Sequence, residues 1–313
     1  MIERLKLEKN ELLLLVIFSL IVSLISEIEY IKVANIIFDR FESWHITHIT
    51  SAAPAPLQFR WLSFTIPEVF INLFGMKTHV AYLFERFIFL FLISFSYYIF
   101  LKNYFSKEIS FFIILIFFYL YNLSAMAHIQ PSEEINIFIF LLAYFAIVKD
   151  KFFLLSLILI IGALNKTTVI FLVPLFFVYQ LLKEEKNYKI IFLKTFILGI
   201  ITVAVLMSIK MYYGMDRDYL GGVWQYRYNI ANMLDLNLMF YPYLLVSLLP
   251  FIFILFTWKN QPKIIKAIAF VIVPFLIGHF LISRVEEFRT YMPLALLTIP
   301  SFFFKYIKNN HDN

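Results

Sequence analysis

Acidic residues that follow the first apolar segment are the side chains best placed to do chemistry. Residues 12 to 26 are apolar, Glu27 and Glu29 follow directly, and Asp39 lies further along the same polar interval. A carboxylate at the edge of an apolar segment is partly removed from water, which suits it to work as a general base. We therefore predict a catalytic base at Glu27.

Cations at unusual positions form the second group of candidate residues. Arg86 lies inside an apolar run, where an ionisable side chain is costly and by default marks a functional site. Lys166 lies in a short polar turn between two apolar runs, Arg289 opens the last run, and Arg60 ends the polar interval after the first. Because arginine and lysine donors bind phosphate, such cations facing a carboxylate predict a seat for a lipid phosphate.

The composition indicates which elements must position these residues. Hydrophobic residues make up 62% of the 313 residues, and the mean hydropathy is +0.81. The apolar runs are continuous and of bilayer length, so they predict an all-α polytopic membrane protein and not a β-barrel. The net charge of +6 comes from lysines scattered between runs. Such lysines set membrane orientation, so no nucleic-acid partner is predicted.

The apolar runs predict about ten transmembrane helices. The first run, residues 12 to 26, follows a basic start and lacks a small-residue cleavage pattern, so we predict an anchor and not a removed signal peptide. The other predicted spans cover residues 79–101, 109–124, 135–148, 152–164, 168–182, 190–212, 239–257, 264–282 and 291–304. We predict a single transmembrane domain over residues 1–313, with both termini in the cytoplasm.

A long first outer loop, residues 27–78, is predicted to carry two helices at the membrane surface. The apolar run 61–74 is short and contains Pro67, so we predict that it does not cross the membrane. This choice leaves most lysines on the inner side, as the positive-inside rule requires. The other surface helix has an apolar stripe, predicted to face the lipid, at Tyr30, Val33, Ile37, Phe41 and Trp44.

Arginine and lysine are distributed unequally across this layout. Every arginine except Arg4 falls on the outer side or near the outer end of a span, whereas the inner side uses lysine. Orientation needs only positive charge, so the planar fork of arginine indicates an anion bound outside. Acids on the same side include Glu133 and Glu134. Solvated salt bridges explain part of this set equally well.

Several short motifs occur along the chain in a characteristic order. They are Ser26-Glu27-Ile28-Glu29-Tyr30 with Ala34, then Pro54, Pro56, Gly75 and Arg86, then Glu133 or Glu134, then Gly162-Ala163-Leu164-Asn165-Lys166, and last Arg289, Tyr291 and Pro293. This order resembles the GT-C class of membrane glycosyltransferases, which includes the protein mannosyltransferases and the aminoarabinose transferase of lipid A. In that class the leading acid would fall on Ser26, which leaves Glu27 as the remaining member.

The resemblance implies an enzyme of the cell envelope that moves a sugar from a polyprenyl-phosphate donor to a glycan, lipid or protein acceptor at the outer membrane face, with inversion. One acid, Glu27 or failing it Glu29 or Asp39, would take the acceptor's proton. The implied lipid-phosphate ligands are Arg86, Lys166, Arg289 and Arg60. The implied sugar or acceptor ligands are Glu133, Glu134, Tyr291 and His128. We expect a minimal member of the class, without a soluble domain after the last span.

Other functions remain open at this stage. A polysaccharide polymerase with outer-loop arginines would share the basic outer face. A flippase or transporter of lipid-linked sugars is a further alternative, although only 7 glycines occur and inverted repeats are not visible. A purely structural membrane subunit, with no chemistry of its own, is the last alternative. A divalent cation at His45 and His48 is possible but not favoured, because the spacing fixes no acidic partner.

Overall fold

The described residues fold into α-helices and short 3₁₀ helices. Within the parts of the chain that the structure describes, there are helices and no β-strand. The computed structural model describes residues 7–34, 38–127, 133–183, 187–214, 225–235, 240–284 and 287–304.

Each apolar run predicted from the sequence coincides with a helix. The α-helices are α1 Lys9–Ala34, α2 Phe38–Ile49, α3 Trp61–Phe74, α4 Thr78–Leu101, α5 Lys107–Ala127, α6 Glu133–Val148, α7 Phe152–Ala163, α8 Leu172–Leu181, α9 Tyr188–Tyr213, α10 Tyr226–Leu234, α11 Phe240–Phe256, α12 Lys263–Ile282 and α13 Met292–Ser301. Short 3₁₀ helices cover Leu57–Phe59, Thr167–Phe171, Trp258–Asn260 and Phe288–Tyr291.

Five helices of the described segments are long and apolar enough to cross a membrane. They lie in α1, α4, α5, α9 and α12. An α-helix rises about 1.5 Å per residue, so roughly 20 residues are needed to cross the hydrocarbon core. The prediction of an all-α membrane protein is confirmed at this level. Helices such as α7 and α8, with 12 and 10 residues, are shorter than that length.

The first helix is longer than its apolar run predicts. It continues to Ala34, so Glu27 and Tyr30 are part of α1 and do not lie in a loop. The predicted surface helix with its stripe from Tyr30 to Trp44 is therefore divided, and α2 begins only at Phe38. Val33 and Ile37 lie outside the described side chains. As part of α1, Glu27 lies beside α4, where its carboxylate contacts Arg86.

The apolar stripe of α2 faces protein. Phe41 is buried and packs with Tyr30 of α1 and Tyr82 of α4, with Trp44 against the same cluster. The prediction that this stripe lies on lipid is therefore wrong for Phe41, because its ring packs on the aromatic side chains of α1 and α4. Exposed apolar side chains of α2 lie elsewhere, at Ile46 and Ile49.

Helix α3 is present where the short run 61–74 was predicted, and it tolerates Pro67 inside it. It ends at Gly75, whose φ of 63° is left-handed and whose N–H donates to the carbonyl of Ile71 at 2.9 Å. Glycine adopts this conformation without a steric penalty, so it is a common way to stop a helix. The chain then turns directly into α4.

Helix α4 is the centre of the part of the bundle that positions the charged residues. It packs against α1, α2, α3, α5 and α6. Two buried tyrosines fix α13 to this core, because Tyr97 donates to the carbonyl of Leu296 at 2.9 Å and Tyr144 donates to that of Pro293 at 2.8 Å. These bonds hold the segment that carries Arg289 against α4 and α6.

Candidate functional site

The predicted charged residues meet at one end of the bundle. Glu27 lies near the end of α1, and Arg86 lies in the third turn of α4. Glu133 and Glu134 open α6, Lys166 follows α7, and Arg289 precedes α13. All of these residues are buried, each less than a tenth exposed. Residues far apart in sequence are thus brought together by helix ends that share one level of the bundle.

Arg86 is the centre of the first group, which we call the Arg86 cluster. Its Nε donates to Oε2 of Glu27 at 3.0 Å, and its Nη1 donates to the hydroxyl of Tyr121 at 2.6 Å. Nη1 also contacts Oε1 of Glu134, which accepts a hydrogen bond from the Tyr121 hydroxyl as well. The ring of Tyr30 covers the guanidinium at 3.9 Å. Helices α1, α4, α5 and α6 are joined by these contacts.

The chemistry of arginine explains why this position tolerates a buried cation. A guanidinium presents donors in a rigid plane, so it can bind two carboxylates from different helices at once and stack on an aromatic ring. Breaking a buried ion pair leaves an uncompensated charge, which is strongly destabilising. Glu27 keeps one carboxylate oxygen, Oε1, without a hydrogen-bond partner among the described residues. That oxygen is the part of the Arg86 cluster left available for a proton.

Glu133 is the centre of the second group, the Glu133 cluster. Nζ of Lys166 donates to Oε1 of Glu133 at 2.6 Å, and Nε of Arg289 lies 3.6 Å from the same oxygen. Arg289 also donates through Nη2 to Glu287 at 3.0 Å. Arg60, between a 3₁₀ turn and α3, is close enough to act electrostatically on Glu133 and Arg289. Three cations therefore surround one buried carboxylate.

Burial and the neighbouring charges shift the pKa values of Glu133 and Lys166. Burial alone would raise the pKa of Glu133, but Lys166, Arg289 and Arg60 together lower it below its usual value. The pKa of Lys166 is lowered to about 8, mainly by burial. The charges of Arg60 and Arg289 lower it as well, whereas Glu133 raises it. The carboxylate thus stays ionised while the lysine is poised near neutral pH.

A tight turn at the end of α7 positions Lys166 beside Glu133. The backbone N–H of Lys166 donates to the carbonyl of Gly162 at 2.9 Å. A Cβ on Gly162 would lie 2.6 Å from Cγ2 of Val169 and 2.9 Å from Cγ2 of Ile139, so only glycine allows this approach to α6. The lack of a side chain at Gly162 therefore allows the segment around Lys166 to pack closely on α6.

The two clusters are joined through the backbone. Glu133 and Glu134 are consecutive, and successive helical side chains diverge by about 100° around the axis. Glu134 consequently reaches Arg86 and Glu133 reaches Lys166. Asn136, one turn after Glu133, accepts a weak hydrogen bond from Thr168 at 3.4 Å, in the segment that follows Lys166. The first turn of α6 is thus the element that all the charged side chains share.

Tyr291, predicted to contact the sugar or acceptor, is buried beside the Glu133 cluster. Its ring meets the imidazole of His279 edge to face, with ring centres 4.7 Å apart. His279 Nε2 lies 3.2 Å from the hydroxyl of Thr290, the residue after Arg289. These contacts stabilise the 3₁₀ helix that carries Arg289. The ring of Tyr291 is therefore packed against protein.

Some predicted residues lie elsewhere. Glu29 is on another face of α1, where it pairs with Lys32 at 2.6 Å, and it is not brought to the Arg86 cluster. The side chain of Asp39 and the whole of His128 lie outside the described residues. Of the two candidate bases whose side chains the structure describes, Glu27 and Glu29, it brings only Glu27 to the charged clusters.

Two further buried polar residues of this region are not among the predicted site residues. Tyr121 bonds both Arg86 and Glu134, and Glu85 is buried with Oε1 lacking a partner among the residues described. In the described ion pairs, Arg86 contacts Glu27 and Glu134 and not its neighbour Glu85. Tyr121 could have been identified from its position near the outer end of a predicted span. A buried arginine requires hydroxyl or carboxylate partners, and a tyrosine at that level can supply one.

The two histidines considered as metal ligands have separate partners. His45 is buried, with Nε2 2.6 Å from Glu68 and Nδ1 3.1 Å from the hydroxyl of Tyr82. The Nδ1 atom of His48 lies 2.6 Å from the carbonyl of Trp44 in its own helix. In the described segments, no group of three or more His, Asp or Glu side chains is arranged to hold a metal ion.

Comparisons with protein-family models, with curated proteins and with solved structures find no match for this chain.

Proposed function

We propose that this protein is a membrane glycosyltransferase that takes a sugar from a polyprenyl-phosphate donor and passes it, with inversion, to an acceptor hydroxyl. One observation carries the proposal. Glu27, an acid with an unused carboxylate oxygen, is paired through Arg86 with Glu134, and the neighbouring residue Glu133 pairs with the cations Lys166 and Arg289. A base beside an anion seat is what this reaction requires.

The phosphate of the donor would bind in the Glu133 cluster. Arg60, Lys166 and Arg289 carry three positive charges, and Glu133 and Glu287 carry two negative ones, so the group has a net charge of +1 (three minus two). Charge-assisted bonds from arginine and lysine to phosphate are among the strongest polar contacts in proteins. A negatively charged phosphate therefore completes the charge balance of this group.

Glu27 would act as the general base. Its Oε1 accepts the proton of the acceptor hydroxyl, and the hydroxyl oxygen then attacks the anomeric carbon of the donor sugar. The bond between that carbon and the phosphate oxygen breaks, and both electrons leave with the phosphate. Lys166 and Arg289 stabilise the added charge on the leaving phosphate, and Arg86 holds Glu27 in place through its Nε bond.

We place this chemistry at the outer face of a cell membrane, in a chain with about ten spans and cytoplasmic termini. Support comes from the gathering of Glu27, Arg86, Glu134, Lys166 and Arg289 at one end of the helices. Lysines concentrate at the opposite end, where the positive-inside rule expects the cytoplasm. In this layout α2 and α3 belong to the outer segment between α1 and α4.

Turnover by the purified protein tests the proposal. The full chain, in lipid bilayers, would be incubated with polyprenyl-phosphate sugars and an acceptor, and released polyprenyl phosphate would be measured. We expect Glu27→Gln to abolish release while binding of polyprenyl phosphate persists. Glu29→Gln is the matched control, because Glu29 lies two residues away on another face, and it should retain activity. Release that is undiminished in Glu27→Gln would refute the assignment and favour a flippase.

A further inference from the structure

The carboxylate of Glu133 occupies the middle of the cation group that the proposed function assigns to phosphate. Its Oε1 lies 2.6 Å from Lys166 Nζ and 3.6 Å from Arg289 Nε. Glu133 is only 3% exposed, and both cations are buried with it. A phosphate cannot reach these two cations while the carboxylate remains between them. The seat is thus closed by a side chain of the protein itself.

Glu133 is an incomplete occupant of this position. It uses one oxygen for both cations, and its other oxygen, Oε2, has no hydrogen-bond partner among the described residues. The distance of 3.6 Å to Arg289 is longer than a hydrogen bond, so that contact is electrostatic only. A phosphate group offers more acceptor oxygens than a carboxylate and distributes them over a tetrahedron. It can therefore bond each cation with a separate oxygen.

We propose that Glu133 is a built-in substitute for the donor phosphate, and that a lipid monophosphate binds by displacing this carboxylate from Lys166 and Arg289. The inference rests on the proposed function for the identity of the ligand. Glu133 is the first residue of α6, so its side chain leaves a helix turn whose backbone has the fewest intrahelical bonds. Rotation of this side chain opens the seat without unwinding the helix.

An internal anion has a physical purpose in a buried site. Without a ligand and without Glu133, the three cations would repel one another, and the buried Lys166 and Arg289 would lack a compensating charge at this position. Glu133 neutralises part of that charge until the donor arrives. The consequence is competition, because the measured affinity for phosphate is lowered by the cost of displacing the carboxylate. Removing the carboxylate's charge should therefore strengthen binding, which is the opposite of the effect of losing a ligand contact.

Direct binding measurements test the displacement. Wild type, Glu133→Gln and the matched control Glu134→Gln would be placed as full chains in phosphatidylcholine nanodiscs, and dissociation constants measured for a polyprenyl monophosphate and for inorganic phosphate. Measurement at about pH 6 keeps Lys166 protonated. We expect Glu133→Gln to tighten polyprenyl monophosphate at least about tenfold, because one like charge no longer competes. Glu134→Gln, whose partners are Arg86 and Tyr121, should not tighten it.

The outcomes separate the displacement from the proposed function. Wild type that binds polyprenyl phosphate, with Glu133→Gln equal or weaker, overturns the displacement alone. If neither wild type nor Glu133→Gln binds either probe, the proposed function is refuted as well. Tightening of inorganic phosphate without any binding of the lipid phosphate identifies a free-phosphate site and also refutes the proposed donor. Should Glu133→Gln fail to fold, Glu133→Asp, whose carboxylate is one methylene further from Lys166, should tighten binding to a smaller extent.

Discussion

Replacing Arg86 by methionine gives the most direct test of the buried network. The substitution keeps a long side chain but removes the only cation that contacts Glu27 and Glu134 among the described ion pairs. The side chains of these two acids are 10% and 6% exposed, so water cannot replace the guanidinium. Removing one partner of a buried ion pair costs about 3 to 5 kcal/mol. Arg86→Met should therefore lower the free energy of unfolding by about 3 to 5 kcal/mol.

The triple variant Glu27→Gln, Arg86→Met, Glu134→Gln separates charge from packing. It removes all three charges, and replacing a whole buried ion pair with neutral groups is often close to neutral for stability. We expect the triple variant to recover most of the loss, measured by denaturant or detergent unfolding monitored through tryptophan fluorescence. If Arg86→Met unfolds like wild type, or the triple variant is no more stable than Arg86→Met, the argument that the ion pairs hold these helices together is wrong.

Three further perturbations follow from particular contacts. Gly162→Ala should lower the unfolding temperature and weaken phosphate binding, since its Cβ would meet Val169 at 2.6 Å. Adding Val169→Ala should restore part of both, because the contact with Ile139 at 2.9 Å remains. Gln58→Leu should cost about 1 to 3 kcal/mol in an unfolding titration, because the buried amide of Gln58 accepts from Ala53 N at 3.1 Å and donates to the His48 carbonyl at 3.0 Å. Phosphate binding should fall as pH rises through about 8, where Lys166 loses its charge, and Lys166→Arg should remove this fall.

The helices and the candidate charges could be predicted from the sequence because both are local properties. Continuous apolar runs identify helix positions, and an ionised residue such as Arg86 within a run is conspicuous against them. The direction of the α2 stripe could not be predicted, because an apolar side chain such as Phe41 packs equally well on lipid or on protein. The role of Tyr121 was missed for a related reason, since tyrosine is common at span ends and its partner is far away in sequence.

The order of hydrophobic and charged residues by itself determined that this chain is helical, that it belongs in a bilayer, and that acids and cations accumulate near the same ends of its helices. Only the tertiary structure decided which charge meets which. The consecutive acids Glu133 and Glu134 point to different partners, Lys166 and Arg86, because the helix turns by about 100° per residue. Whether an acid such as Glu29 joins the network or faces outward depends on helix rotation, which arises from packing across the whole bundle.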